Sequence, residues 1–162
     1  MTRAAILTGA NAGDAAATLQ KARLTIERLA GRIAAASEVM RSRAWGFESD
    51  QEFLNQALIV ETQLGPQELL EALMQTEREC GRDRGAELKE KQRTGSRYAS
   101  RIIDADMIFY GSQIIDTPLL TVPHPRLAQR EFALRPLAQI IPQFRHPVTG
   151  RSVEQMLNDI AE

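Results

Sequence analysis

The sequence predicts an α+β fold, a two- to three-layer sandwich in which helices pack on a mainly antiparallel sheet. Its 162 residues, 43% of them hydrophobic, are enough to bury one core, so residues 1–162 are assigned to a single domain. Apolar runs typical of strands alternate with stripes of helical period. The resulting order is strand, helix, strand, strand, helix, strand and then helices, which is typical of helices packed on an antiparallel sheet.

The first half of the chain is predicted to open with a strand and a helix. Residues 3–9 form a short apolar run, and Asp14 is expected to cap a helix whose apolar residues recur every three or four positions until Gly31. Residues 33–45 are assigned to one strand. In residues 53–64, Leu58, Val60 and Thr62 alternate with Ile59 and Glu61 and β-branched residues are frequent, which predicts the next strand.

The second half begins with a helix whose first residue is Pro66 and whose end is marked by Gly81. Residues 83–100 lack an apolar period and are predicted to form a mobile loop. Residues 101–111 return to strand character, and the last helix is expected to start after Ser152. The order of elements is that of a ferredoxin-like sandwich.

The composition argues against several classes of partner. With 20 Lys+Arg, 21 Asp+Glu and a formal net charge of -1, the chain has no global attraction for nucleic acid or anionic membranes. No apolar run reaches the roughly 18 residues of a membrane span, and the N-terminal run is too short for a signal peptide. Cys80 is the only cysteine. We therefore expect a cytoplasmic monomer with a reduced thiol and small-molecule substrates.

The pair Asp104 and Asp106 lies inside an otherwise apolar predicted strand. Because side chains alternate along a strand, both carboxylates are expected on one face. The other face is predicted to carry Ile103, Ala105, Met107 and Phe109. Two neighbouring carboxylates repel each other, and a multivalent cation relieves that repulsion, with Mg²⁺ favoured by oxygen ligands. The spacing alone leaves open a solvated acidic pair on an edge strand.

Basic residues gather before this pair. Residues 77–101 hold eight Lys or Arg against five acids. Arg82 and Arg101 adjoin ordered elements and are candidates for binding phosphate, whereas the rest could be a solvated charged loop. Glu77 lies on the apolar stripe of the second helix, so it either pairs with a nearby arginine or accepts hydrogen bonds from a ligand.

Aromatic residues and one histidine complete the candidates. Trp45, Phe53 and Phe132 could enclose a flat ring, although each alone is more often part of a core. His124 could donate to a phosphate, or it could bond only within its Pro-rich turn.

Taken in order along the chain, these segments resemble the 6-hydroxymethyl-7,8-dihydropterin pyrophosphokinase family. The most specific segment is residues 101–108, RIIDADMI, which is similar to the family signature R-x-x-D-x-D followed by a hydrophobic residue. LTVPHP at 120–125 and REF at 130–132 follow at the family's spacing. GANAGD at 9–14 and FLN at 53–55 are further matches, and residues 77–82 end in the family's Gly-Arg.

The resemblance implies an enzyme that transfers pyrophosphate from ATP to the pterin hydroxymethyl group and releases AMP in folate biosynthesis. Asp104 and Asp106 would hold two Mg²⁺ ions, and Arg82 and Arg101 would contact the transferring phosphates. The residues expected on the ATP side are Glu77, Arg84, Arg97, Thr121, His124 and Arg130. Those expected around the pterin are Ser42, Trp45, Phe53, Asn55, Tyr98 and Phe132. The alternative is a non-catalytic regulatory or ligand-binding module of the same fold.

Overall fold

The described part of the chain is an antiparallel sheet with helices on both faces. The structure is a computed structural model, which describes residues 1–43, 52–82 and 103–161 together with residues 85, 89, 92 and 93. The strands are β1 (Thr2–Ala10), β2 (Gly31–Ala36), β3 (Met40–Arg43), β4 (Glu52–Thr62), β5 (Asp104–Tyr110), β6 (Ile115–Asp116) and β7 (Thr121–Val122). The helices are α1 (Ala15–Leu29), α2 (Pro66–Glu79), α3 (Glu131–Ile140) and α4 (Val153–Ala161), with a 3-10 turn at Leu127–Gln129.

Strand β1 lies at the centre of the main sheet, between β4 and β5, and pairs with both in antiparallel orientation. Strands β2 and β3 pair one after the other with the far edge of β4. Strands β6 and β7 form a separate antiparallel pair. This topology confirms the predicted α+β class.

The two faces of the sheet carry separate cores. Helices α1 and α2 cover one face, where Ile26 and Leu73 pack with residues of β1, β4 and β5. Helices α3 and α4 cover the other face, where Leu134, Leu137 and Met156 are buried. The sandwich therefore has three layers, and we call these two sides the α1/α2 face and the α3/α4 face.

The helix starts follow the predicted capping residues. The Asp14 carboxylate accepts a hydrogen bond from the Ala17 N–H at 3.2 Å, and Pro66 is the first residue of α2. At α4, the Gln155 N–H donates to Ser152 Oγ at 3.1 Å while the Ser152 N–H donates to the Gln155 side chain at 2.9 Å. Each contact satisfies a backbone group that the helix itself leaves open.

The single strand predicted over 33–45 is wrong, because β2 ends at Ala36 and β3 starts at Met40. At the break, the Ser37 N–H donates to the Ala57 carbonyl at 2.9 Å. The Ala57 N–H then donates to Ser37 Oγ, also at 2.9 Å, rather than to a backbone carbonyl. A short hydroxyl side chain competes with the strand ladder in this way, and the chain leaves the sheet for three residues.

A β-bulge in β5 changes which residues face each core. Ala5 is opposite Phe109 and Ile6 is opposite Met107, so Ile108 is an extra residue in β5. Ala105 and Met107 lie on the α1/α2 face, whereas Phe109 packs on the α3/α4 face. The prediction that Phe109 shares a face with Ala105 and Met107 is therefore wrong, since simple alternation ends at the bulge.

The predicted loop over 83–100 is described at four positions only. Residues 85, 89, 92 and 93 are helical and exposed, so the prediction of an irregular loop is wrong at those four. This stretch is rich in Ala, Glu, Leu, Lys, Gln and Arg, which are strong helix formers and can form a helix without an apolar stripe. The remainder of the predicted loop lies outside the described residues.

Candidate active site

Asn55, a predicted substrate residue, and Asp104, a predicted metal residue, lie in one row across the sheet. Met40, Asn55, Gly9 and Asp104 occupy partner positions on the neighbouring strands β3, β4, β1 and β5. Partner residues of antiparallel strands point to the same face, and strands lie about 4.8 Å apart. Asn55 and Asp104 are therefore about 10 Å apart at their Cα atoms, with only Gly9 between them.

Asp104 and Asp106 share the α3/α4 face. Asp106 is opposite Leu7, which belongs to the core on that face, while the intervening Ala105 belongs to the core on the other face. Both aspartates are partly exposed. The predicted common orientation of the two carboxylates is confirmed.

These two carboxylates suit a magnesium ion better than a metal held entirely by protein. In the part of the chain that the structure describes, no group of three or more His, Cys, Asp or Glu side chains is arranged for a metal. Mg²⁺ is commonly held by one or two carboxylates and completes its coordination with water and substrate phosphates. A partly exposed pair of aspartates fits that mode of binding.

Arg82 is a buried cation that joins helix α2 to strand β5. Its Nη1 donates to Glu77 Oε2 at 3.0 Å and to Asp104 Oδ1 at 3.2 Å, with the Ile103 carbonyl at 3.4 Å. The Arg82 and Glu77 side chains are only 5% and 4% exposed. Glu77 therefore pairs with an arginine, which is one of the two alternatives that its place on the apolar stripe suggested. This ion pair holds the positive charge of Arg82 beside Asp104.

Glu77 also fixes the start of β5 directly. Its Oε2 accepts a hydrogen bond from the Ala105 N–H at 2.9 Å. Ala105 lies between the two aspartates, so this carboxylate from α2 anchors the backbone that presents them. A buried carboxylate with an arginine and an N–H as donors is well satisfied.

Asn55 is a buried amide held from two sides. The Ser42 hydroxyl donates to Asn55 Oδ1 at 3.3 Å, and Asn55 Nδ2 donates to the Thr8 carbonyl at 3.5 Å. An amide has two N–H donors and two lone pairs, and these contacts use one of each. Among the described residues, the amide therefore keeps one donor and one acceptor for the edge of a ligand.

The two predicted aromatic walls lie on elements beside Asn55. Phe53 is two residues from Asn55 on β4, so the two side chains share a face. Phe132 is in the first turn of α3, the helix that packs on β3 and β4. The Arg130 guanidinium lies 5.6 Å from the Phe132 ring centroid, which is within cation–π range.

His124 is a neutral donor at the edge of β5. Its backbone N–H donates to the Ile108 carbonyl at 3.0 Å, and its ring Nδ1 accepts from the backbone N–H of Arg126 at 3.3 Å, which leaves the ring proton on Nε2. Burial, together with the nearby Arg130, lowers the pKa of His124 from 6.5 to about 4, and Asp104 opposes the shift. His124 therefore offers an uncharged N–H at neutral pH.

This shift predicts a loss of stability in acid. The unfolded chain binds the His124 proton near pH 6.5 and the folded chain only near pH 4, so the unfolded state binds more protons between these values. Folding stability should therefore fall as the pH decreases through that range. We expect a smaller fall in the melting temperature of His124→Asn, which keeps an acceptor for the Arg126 N–H. The other histidine, His146, is present in both proteins and contributes equally to both. An equal fall in the two melting temperatures would therefore contradict this role of His124.

Of the remaining predicted site residues, the structure describes Thr121 but not five others. Thr121 is exposed on β7, which belongs to the two-stranded sheet and not to the sheet that carries Asn55 and Asp104. Five of the predicted residues lie outside the described part of the chain, namely Trp45, Arg84, Arg97, Tyr98 and Arg101.

Gly9 is the residue of the site that the sequence did not single out by itself. It appears in the motif GANAGD only as the end of a strand and the start of a turn. Its position between Asn55 and Asp104 depends on the register of three strands, which no local pattern encodes. A glycine at the end of an apolar strand was the available signal, since glycine in strands often marks a close approach.

Comparison with known proteins gives one consistent family. Residues 5–142 match the family model for 7,8-dihydro-6-hydroxymethylpterin-pyrophosphokinase. The 2-amino-4-hydroxy-6-hydroxymethyldihydropteridine pyrophosphokinase of Aquifex aeolicus is 38% identical over 147 residues, covering 91% of this chain and 85% of the relative. The Bacillus subtilis protein of the same name is 34% identical over 151 residues, covering 93% and 84%.

A solved structure shares the fold at low identity. Wild-type HPPK-DHPS from Plasmodium falciparum aligns with a TM-score of 0.71 and 14% identity. The alignment covers 98% of this chain and 44% of that one, so this chain spans less than half of the solved protein. No described helix is long and apolar enough to cross a membrane.

Proposed function

Because the chain belongs to the 7,8-dihydro-6-hydroxymethylpterin-pyrophosphokinase family, we propose that it transfers pyrophosphate from ATP to 6-hydroxymethyl-7,8-dihydropterin and releases AMP, a reaction of folate biosynthesis. The single observation that carries the proposal is the row Asn55, Gly9 and Asp104. It brings a ring-edge amide and a metal-binding carboxylate to about 10 Å from each other on one face, across a residue without a side chain. The comparisons give no support to the non-catalytic alternative.

The pterin is assigned to the Asn55 end of this row. Phe53 and Phe132 would supply flat apolar contacts, while Asn55 and Ser42 would form hydrogen bonds with the polar edge of the ring. Apolar walls with a few polar groups that fix orientation are typical of such sites. Trp45 and Tyr98 remain assigned to the same subsite from the sequence.

The nucleotide is assigned to the Asp104 end. Asp104 and Asp106 would hold Mg²⁺, which when bound to phosphate oxygens offsets their negative charge and orients them. His124 is close enough to both Asp104 and Arg130 for their charges to act on it, so its neutral Nε2–H and the Arg130 guanidinium are assigned to the nucleotide side. Glu77, Arg84, Arg97 and Thr121 complete the proposed ATP side, where Glu77 would act through Arg82.

This reaction requires the protein mainly to position the two substrates and to stabilise negative charge on the phosphates. The pterin hydroxyl oxygen attacks the β-phosphorus of ATP, the bond from that phosphorus to the bridging α–β oxygen breaks, and AMP leaves with this oxygen. The hydroxyl proton passes to solvent. Arg82 and Arg101 would stabilise the charge that develops on the phosphates, as positioned cations do in phosphoryl transfer.

One assay tests the proposal. The protein is incubated with ATP, Mg²⁺ and 6-hydroxymethyl-7,8-dihydropterin, and AMP and pterin diphosphate are measured by chromatography. We expect equal amounts of the two products, and none when the pterin or Mg²⁺ is left out. ADP as the product would instead indicate transfer of a single phosphoryl group, and AMP without pterin diphosphate would indicate hydrolysis of ATP.

A further inference from the structure

The backbone at Gly9 does not require glycine. Its φ is not among the positive values that favour glycine, which in this chain occur at other glycines such as Gly13 and Gly31. Any residue could therefore adopt the conformation of Gly9 in β1. The reason for glycine must lie in its surroundings.

Those surroundings contain one close neighbour, the amide of Asn55. A Cβ built on Gly9 would lie 2.6 Å from Asn55 Nδ2. The next neighbours, the Leu54 carbonyl oxygen at 3.6 Å and Asn55 Cγ at 3.7 Å, are at ordinary contact distances. Only the Asn55 amide would have to move, and it is buried and bonded to Ser42 and Thr8.

We propose that Gly9 is a positioning residue that sets the Asn55 amide for the pterin. The absence of a side chain lets Nδ2 lie against β1, close to the Thr8 carbonyl, while Oδ1 receives the Ser42 hydroxyl. A methyl group at position 9 would push the amide away from both partners. The inference rests on the proposed function, because it assigns the amide to the edge of the pterin ring.

The first part of the test compares two ligands. In Gly9→Ala, we expect the Kd for 6-hydroxymethylpterin to rise by about tenfold or more, since a buried hydrogen-bonding group is displaced. The Kd for a non-hydrolysable ATP analogue with Mg²⁺ should stay within about twofold. Gly65→Ala is the matched control, because the nearest atom to its new Cβ is Glu68 Oε1 at 3.4 Å and it lies at the start of α2. It should change neither affinity.

The second part asks whether the effect acts through Asn55. In an Asn55→Ala background, the added methyl group has no amide to displace, so Gly9→Ala should cause no further loss of pterin affinity. Melting temperatures of the ligand-free proteins should follow the same pattern, with a decrease in the wild-type background and none in Asn55→Ala. This measurement also shows whether the single variant folds.

The outcomes separate the possible explanations. Unchanged pterin affinity in Gly9→Ala would overturn the proposal, and so would an equal loss in both backgrounds, which would mean that the methyl group blocks the ligand directly. If the wild-type protein bound no pterin, the proposed function would fail and the positioning role with it. A decrease in melting temperature caused by Gly9→Ala in the wild-type background but not in Asn55→Ala would then show only that Gly9 and Asn55 are in contact.

Discussion

Replacing Glu77 by alanine is expected to lower the free energy of unfolding by about 3–5 kcal/mol, because removing one partner of a buried ion pair leaves the other charge poorly compensated. Arg82 would keep its 3.2 Å contact with Asp104 but lose its 3.0 Å contact with the Glu77 carboxylate. The Ala105 N–H would also lose its acceptor. Urea unfolding followed by circular dichroism measures the change.

Glu79→Ala is the matched control for this variant. Glu79 is on the same helix and pairs with Arg28, but that pair is exposed to solvent, with side chains 33% and 59% exposed. Exposed pairs contribute about 0.2–1 kcal/mol, so the control should lose far less stability. Similar losses of stability in the two variants would show that the buried pair of Glu77 and Arg82 stabilises the fold no more than the exposed pair does.

Replacing Asp106 by alanine is expected to abolish Mg²⁺-dependent ATP binding and to lower turnover by about three orders of magnitude, because charge stabilisation by a metal on phosphate oxygens is worth several kcal/mol. Calorimetric titration with an ATP analogue, with Mg²⁺ and with a chelator, measures the binding.

Asp116→Ala is the control for the metal assignment. Asp116 is an exposed acid on β6, outside the row that contains Asp104, and its replacement removes one negative charge, as Asp106→Ala does. It should leave binding and turnover near wild-type values. If Asp106→Ala turned over at the normal rate, Asp106 would not be a metal ligand of this reaction.

Much of the fold could be predicted because its signals are local. The caps at Asp14 and Ser152, Pro66 at the first turn of α2 and the β-branched residues of β4 each involve residues a few positions apart. Local hydrogen bonding and side-chain periodicity determine such features, and the structure confirms them. The common face of Asp104 and Asp106 also follows from alternation alone.

The features that could not be predicted depend on contacts between distant segments. The break at Ser37 requires Ala57, which is 20 residues away. The close approach of Gly9 to Asn55 requires the register of β1 with β4, and the bond from Ala105 to Glu77 requires α2 to pack on β5. A sequence pattern indicates which residues suit a buried or an exposed position, but it does not indicate which strands will pair with each other.

The bulge in β5 gives this strand one position at which its length can change during evolution. On the α3/α4 face, β5 presents carboxylates at Asp104 and Asp106, then Ile108 and Phe109, whose ring lies 4.6 Å from that of Phe144. Deleting Ile108 would remove the bulge, and Phe109 would then follow Met107 directly, still opposite Ala5 and on the same face as Phe144. Sequences that keep this sheet are therefore expected to vary in length by one residue at this position without changing the faces of the residues around it.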